Sequence, residues 1–136
     1  MYHRYTDSFS ILFCKSIEKI AAKKIPSTPV FEDDKVYAFR DINPTAPAHI
    51  IIVPKVCGNL TQLQHSKESD IPILGHLMYI AGHIAKQEKL QDGYRIVIND
   101  GPKGCQSVYH LHLHLIGGKQ LTWPPGTGAP EGSMSG

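Results

Sequence analysis

The chain contains the run His110-Leu111-His112-Leu113-His114-Leu115, three imidazoles in strict alternation with three leucines. Side chains of an extended strand point alternately to opposite faces, so this run specifies a strand with one leucine face and one histidine face. The leucines belong against a core and the histidines line a site. A buried imidazole needs a partner for each ring nitrogen, which makes a row of three a demanding arrangement. Three uses are open to it: satisfied structural groups, a zinc site with imidazole ligands at i and i+2, or acid–base and nucleophilic work on a phosphate.

The surroundings tip the balance toward the phosphate. A catalytic zinc draws on carboxylates that orient its histidines, and no acidic residue occurs between Gly101 and Gly128. The loop ahead of the strand, Asp100-Gly101-Pro102-Lys103-Gly104-Cys105-Gln106-Ser107, offers two glycines, a lysine and a serine, residues that turn backbone N–H groups and a hydroxyl toward an anion. A neutral imidazole attacks through one nitrogen while the other is held by an acceptor that fixes the tautomer. The central His112 has neighbours on both sides to hold it. By position it is the nucleophile, with His110 and His114 orienting it or contacting phosphate oxygens, and Ser107 donating to a leaving group.

Elsewhere the pattern mixes helix and strand. Ile17, Ile20, Ala21 and Lys24 mark a short helix that stops before Pro26. Thr28 to Phe31 and Val36 to Arg40 read as a hairpin around Glu32-Asp33-Asp34-Lys35, and His49 to Val53 as a β-branched strand ended by Pro54. From Ile71 to Leu90 the apolar residues Leu74, Leu77, Met78, Ala81, Ile84 and Ala85 recur at helical spacing, with Asp70 as N-cap and Gly93 beyond the end. Strands at Tyr94 to Asn99 and Val108 to Ile116 complete the order. Five strands and two helices in this sequence predict an α+β domain with a mainly antiparallel sheet, not a doubly wound parallel one.

A chain of 136 residues is one domain in size. We expect residues 1–10 to be a flexible extension, 11–126 the domain, and the Gly- and Pro-rich 127–136 a flexible tail. Fourteen basic residues against twelve acidic ones are scattered without forming a stripe, which argues against an extended nucleic-acid surface. No bilayer-spanning run or secretory leader is evident, and three cysteines (Cys14, Cys57, Cys105) do not make a disulfide framework. The expectation is a cytoplasmic protein, extending to the nucleus, with no membrane or nucleic-acid partner.

Further residues join the proposed site. Phe39 and Asp41 lie two apart at a strand end, placing an aromatic wall and a carboxylate on one side. A carboxylate of this kind accepts from ribose hydroxyls, and equally initiates the turn before Asn43-Pro44. His49 opens an apolar strand, where a satisfied structural role is its ordinary use. Asn99 bonds a phosphate or caps a turn, and Trp123-Pro124-Pro125-Gly126 packs over its own sheet or over a neighbouring subunit.

The run His110 to Gly118 is similar to the signature of the histidine triad superfamily. The likeness extends through Phe31-Glu32-Asp33-Asp34, Ala38-Phe39-Arg40-Asp41-Ile42, Pro44 to Ile50, Val53-Pro54-Lys55, Gly93-Tyr94-Arg95, Gly104 to His110 and Trp123 to Gly126. The chain thus resembles the nucleotide-binding branch of that superfamily (HINT) from about Leu12 to Gly126. The resemblance implies a homodimer whose two five-stranded sheets join into one of ten strands. It also implies a purine nucleoside phosphoramidase that cleaves adenosine or guanosine 5′-phosphoramidates and acyl- or aminoacyl-AMP to the nucleoside monophosphate.

By motif position, His112 forms a nucleotidyl-histidine intermediate and His110 holds it through its backbone carbonyl. His114 and Ser107 contact phosphate and leaving group, with His49 in the same network and Asp41 on the ribose hydroxyls. Leu12, Phe13, Phe39, Ile42 and Ile51 would form the base pocket, Asn99 and Gln106 contact the nucleotide, and Trp123 reaches the partner's site. Some relatives bind zinc through Cys-x-x-Cys plus two histidines. Here Ile11 takes the first cysteine position and Cys57 replaces a histidine, so Cys14, Cys57 and His110 leave at most three ligands, and neither a metal nor another cofactor is expected. The alternative implied is a nucleotide-binding scaffold protein with little catalytic role.

Overall fold

The computed structural model describes residues 28–126 apart from 57 and 59. The expected first helix, both expected flexible ends, and Leu12, Phe13, Cys14 and Cys57 lie outside the described residues. Five strands, β1 (Pro29–Glu32), β2 (Val36–Arg40), β3 (Ala48–Pro54), β4 (Tyr94–Val97) and β5 (Leu113–Gly117), form one sheet in the order β1-β2-β3-β5-β4. Every neighbouring pair is antiparallel, as expected. A single long helix, α1 (Ile71–Gln87), connects β3 to β4 among the described residues.

Strand alternation sorts the sheet into two faces. Val36, Ala38, Ala48, Ile50, Ile52, Leu113 and Leu115 turn to one side, where Leu77, Ile80, Ala81, Ile84 and Ala85 of α1 meet them in a single apolar cluster. Fully burying a Val, Leu or Ile side chain stabilises the fold by about 1.5–3 kcal/mol, so this layer carries the domain. On the opposite face a smaller cluster gathers buried Tyr37 and Val53 with half-buried Phe39 and Ile51. The leucines of the alternating run thus reach the main core.

Turn chemistry fixes the ends. In the β1–β2 turn, the Asp33 carboxylate accepts from the Lys35 and Val36 N–H groups at 2.8 and 2.7 Å, and its other oxygen accepts from His76 of α1 at 2.6 Å. Asp70 precedes α1 but makes no side-chain cap; its carboxylate accepts from the Lys67 N–H at 2.8 Å, closing the short turn before the helix. The left-handed residue after α1 is Lys89, at φ 59°, and not Gly93, which stands nearer β4 at φ 140°.

The alternating run differs from the expected strand in one respect: regular pairing starts only at Leu113. Continuing the β3–β5 register, in which Ile52 faces Leu113, would set Leu111 opposite Pro54, and proline has no N–H to give. The Leu111 N–H donates instead to the Leu60 carbonyl at 3.1 Å, and the Pro54 carbonyl is approached by His110 Nε2 at 3.2 Å. His110 and His112 therefore sit on an irregular segment that leads into β5, and only His114 belongs to the strand. β4 likewise ends at Val97, short of Asn99.

Candidate active site

Register brings the site together across the sheet. Phe39 pairs with Ile51, Ile51 with His114, and His114 with Val97, so these four stand in one row on the face away from α1. One step along, the Asp41 N–H donates to the His49 carbonyl at 2.9 Å, setting Asp41 and His49 side by side. His49 is buried, with 6% of its surface exposed, and Nε2 lies 2.9 Å from Nδ1 of His114 and 3.4 Å from Oδ2 of Asp41. The other Asp41 oxygen accepts from the Asn43 N–H at 2.8 Å, so Asp41 serves the turn and faces the histidines at once.

His112 follows a different rule. Its Nδ1–H donates to the carbonyl of His110, 2.7 Å away within the same backbone segment. That bond fixes the tautomer and leaves Nε2 with its lone pair, the form an attacking imidazole requires. The His112 and His114 rings meet edge to face with centroids 5.0 Å apart, and His49 stands 5.2 Å beyond His114. His110 is fully buried, and burial pulls its pKa below the ordinary imidazole value. Burial also pulls His114 down, to about 4, assisted by repulsion from His112 and His49 and opposed by Asp41.

The loop from Asp100 to Ser107 is held by Gln106, which the sequence singled out, and by Asp100, Gln62 and Gln64, which it did not. The Asp100 carboxylate accepts from the Gln62 side chain at 3.1 Å and from the Gln64 backbone and side chain at 2.8 and 2.6 Å. Gly101 turns at φ 75° and Cys105 at φ 61°, the left-handed region that bends a loop back on itself. Gln106 is buried: its oxygen accepts from the Gly101 N–H at 2.9 Å, and its nitrogen donates to the Thr61 and Val108 carbonyls at 2.8 and 3.0 Å. Its backbone N–H also donates to the Gly101 carbonyl, at 3.0 Å, so side chain and backbone N–H alike are engaged in holding the loop. Ser107 is exposed at the loop's end and Asn99 is half-buried ahead of it.

Ile42 and Trp123 stand at 91% and 83% exposure, so neither packs on the described part of its own chain. The Trp123 segment is anchored next door, where the Arg95 guanidinium donates to the Thr122 carbonyl at 2.8 Å. Thr45 is the functional neighbour that sequence reasoning passed over, although it sits four residues before His49 just after an Asn-Pro turn. Its backbone N–H donates to His49 Nδ1 at 3.1 Å. Asp41, His49 and His114 also offer ligand atoms within 4.8 Å of one another, a donor set suited to a divalent metal. In this conformation the two imidazole nitrogens are committed to each other instead.

Comparison with known proteins agrees with this architecture. The family model described as the HIT domain matches residues 22–121. The chain is 64% identical over 109 residues to a 14 kDa zinc-binding protein of Zea mays, covering 80% of this chain and 85% of that one. It is 63% identical over 109 residues to the Arabidopsis thaliana protein named adenylylsulfatase HINT1, covering 80% and 74%. Among solved structures, a HIT family hydrolase from Legionella pneumophila Philadelphia 1 superposes with a TM-score of 0.75 at 46% identity, over 85% of this chain and 98% of that one. A histidine triad nucleotide-binding protein from Candida albicans superposes with a TM-score of 0.64 at 30% identity, over 83% and 82%.

Proposed function

This chain belongs to the histidine triad family and is a hydrolase, and from that premise we propose that it is a purine nucleoside phosphoramidase acting at the 5′-phosphorus. The single observation that carries the reading is the bond from His112 Nδ1 to the His110 carbonyl, which leaves Nε2 as a free nucleophile beside His114. In the first step Nε2 forms a bond to phosphorus while the bond from phosphorus to the amine breaks, and the amine leaves with a proton passed to it by the Ser107 hydroxyl, which regains one from the water of the second step. His112 becomes a nucleotidyl-imidazolium whose positive charge the His110 carbonyl stabilises. Water then attacks phosphorus, releases the nucleoside monophosphate and restores the imidazole.

The face away from α1 supports a nucleoside. Phe39 and Ile51 offer an apolar wall for a base, and Asp41, beside His49 one step along from that row, is where ribose hydroxyls would find an acceptor. The loop at Gly101 to Ser107 lies ahead of the histidines for the phosphate. An apolar base wall discriminates adenine from guanine weakly, so both purines are substrates. The relative named adenylylsulfatase adds sulfate as a second leaving group to compare with amines.

Two copies form the working enzyme in this reading. β4 is an edge strand, and Tyr94 on it together with Met78 and Tyr79 on α1 leaves 42%, 51% and 71% of each residue exposed around a groove that also includes His83. An uncovered edge flanked by apolar residues is a surface that proteins cover. Pairing at β4 would give the ten-stranded sheet and bring Trp123 toward the partner's site.

The test is hydrolysis of a fluorogenic adenosine phosphoramidate. Turnover supports the enzyme; absence of turnover in a protein that still binds AMP would leave the nucleotide-binding scaffold as the function.

A further inference from the structure

Two donors converge on one nitrogen of His49. The Thr45 backbone N–H lies 3.1 Å from Nδ1 and the Thr45 hydroxyl 3.3 Å from the same atom. A ring nitrogen that accepts from a backbone N–H carries no proton of its own, so neutral His49 has its hydrogen on Nε2. That Nε2 faces His114 Nδ1 at 2.9 Å, and only one of two facing nitrogens holds the hydrogen between them. His49 Nε2–H is therefore the donor and His114 Nδ1 the acceptor. The one N–H left to His114 is at Nε2.

We propose that Thr45 is a positioning residue that sets the polarity of this relay, so that His114 presents an N–H to the bound phosphate or its leaving group. The consequence is a division of labour between adjacent rings. His112 is pinned at Nδ1 by a carbonyl and offers a lone pair at Nε2; His114 receives a hydrogen at Nδ1 and offers an N–H at Nε2. Reversing the relay would turn a lone pair of His114 toward an anion, which repels it. The nearby Asp41 oxygen, 3.4 Å from His49 Nε2, reinforces the same direction because a carboxylate only accepts. The hydroxyl is a secondary donor, so the backbone N–H carries the effect.

The catalytic consequence rests on the phosphoramidase reading, whereas the tautomers are measured without substrate. Long-range ¹H–¹⁵N spectra of the full chain labelled with ¹⁵N-histidine, recorded at neutral pH, should show His49 and His114 as Nε2–H tautomers and His112 as the Nδ1–H tautomer. Thr45 is exposed, so it tolerates substitution. Thr45→Pro, which removes both donors, should mix the tautomers of His49 and His114 and lower kcat at least about tenfold with little change in KM. Thr45→Ser should keep the wild-type spectrum. An Nδ1–H tautomer or a cation at His114 in the wild type would overturn the proposal even if Thr45→Pro did not fold, and so would a folded Thr45→Pro with unaltered tautomers. If the wild type turned over no phosphoramidate, the proposed function would fall while the spectra still decided the relay.

Discussion

Nδ1 of His112 and the carbonyl oxygen of His110 stand 2.7 Å apart, closing a bond within three consecutive residues that orients the imidazole. The nitrogen left with a lone pair, Nε2, is thereby defined by local backbone geometry. His112→Ala should reduce phosphoramidate turnover by about 10³-fold or more, since loss of a nucleophile removes the step itself. Mass spectrometry of acid-quenched reactions should show a nucleotide adduct on the wild-type protein and none on the variant; an adduct surviving in His112→Ala would exclude it as the attacking residue.

His114, held to about 4, stays neutral across the range in which unfolded histidine titrates. Between about pH 4 and the ordinary value of 6.5 the unfolded chain binds a proton at this position that the folded chain refuses. Stability is therefore full above pH 6.5 and declines as pH falls toward 4, and buried His110, also lowered, adds in the same direction. Urea denaturation at several pH values should show the midpoint falling through this window. In His114→Gln the slope should be shallower.

Asp33 joins the β1–β2 turn to α1 through two backbone N–H groups and His76. Those bonds, opposing the effect of burial, hold its carboxyl below the ordinary value of 3.8. The stabilisation is present above that value and disappears as pH falls through the lower folded value. Asp33→Ala should cost about 1–3 kcal/mol at neutral pH by chemical denaturation, because the Lys35 and Val36 N–H groups and His76 all lose their acceptor. His76→Ala should cost less.

Replacing Tyr79 by Glu places a charge on the exposed apolar surface beside β4 without entering the core. Analytical ultracentrifugation should find the wild type dimeric and Tyr79→Glu shifted to monomer at micromolar concentration. A dimer unaffected by this change would move the interface elsewhere.

Phosphoramidate turnover should survive dialysis against EDTA, since His112 attacks without a metal in the proposed scheme. Loss of activity on chelation, restored by zinc, would instead assign Asp41, His49 and His114 to a metal.

Much of the site was legible because its information is local. Alternation of leucine and histidine separates a core face from a site face through the pleat alone, and Leu113 and Leu115 duly lie in the main cluster. The hairpin, the long helix and the antiparallel order follow from turn residues and apolar period in the same way. Motif likeness extending across the chain supplied the family and hence the hydrolase.

Tertiary structure decided what depends on partners far along the chain. The strand begins at Leu113 because the register meets Pro54, a residue 59 positions away by number and without an N–H. The Gln106 side chain ties its own loop, at Gly101, to Thr61, 45 residues earlier, a contact that no local pattern in the sequence announces. The polarity of the histidine relay depends on Thr45 and on a contact between His49 and His114, 65 residues apart, that exists only once β3 and β5 pair. A sequence lists imidazoles; which nitrogen of each carries the hydrogen is fixed by the groups that folding brings to it.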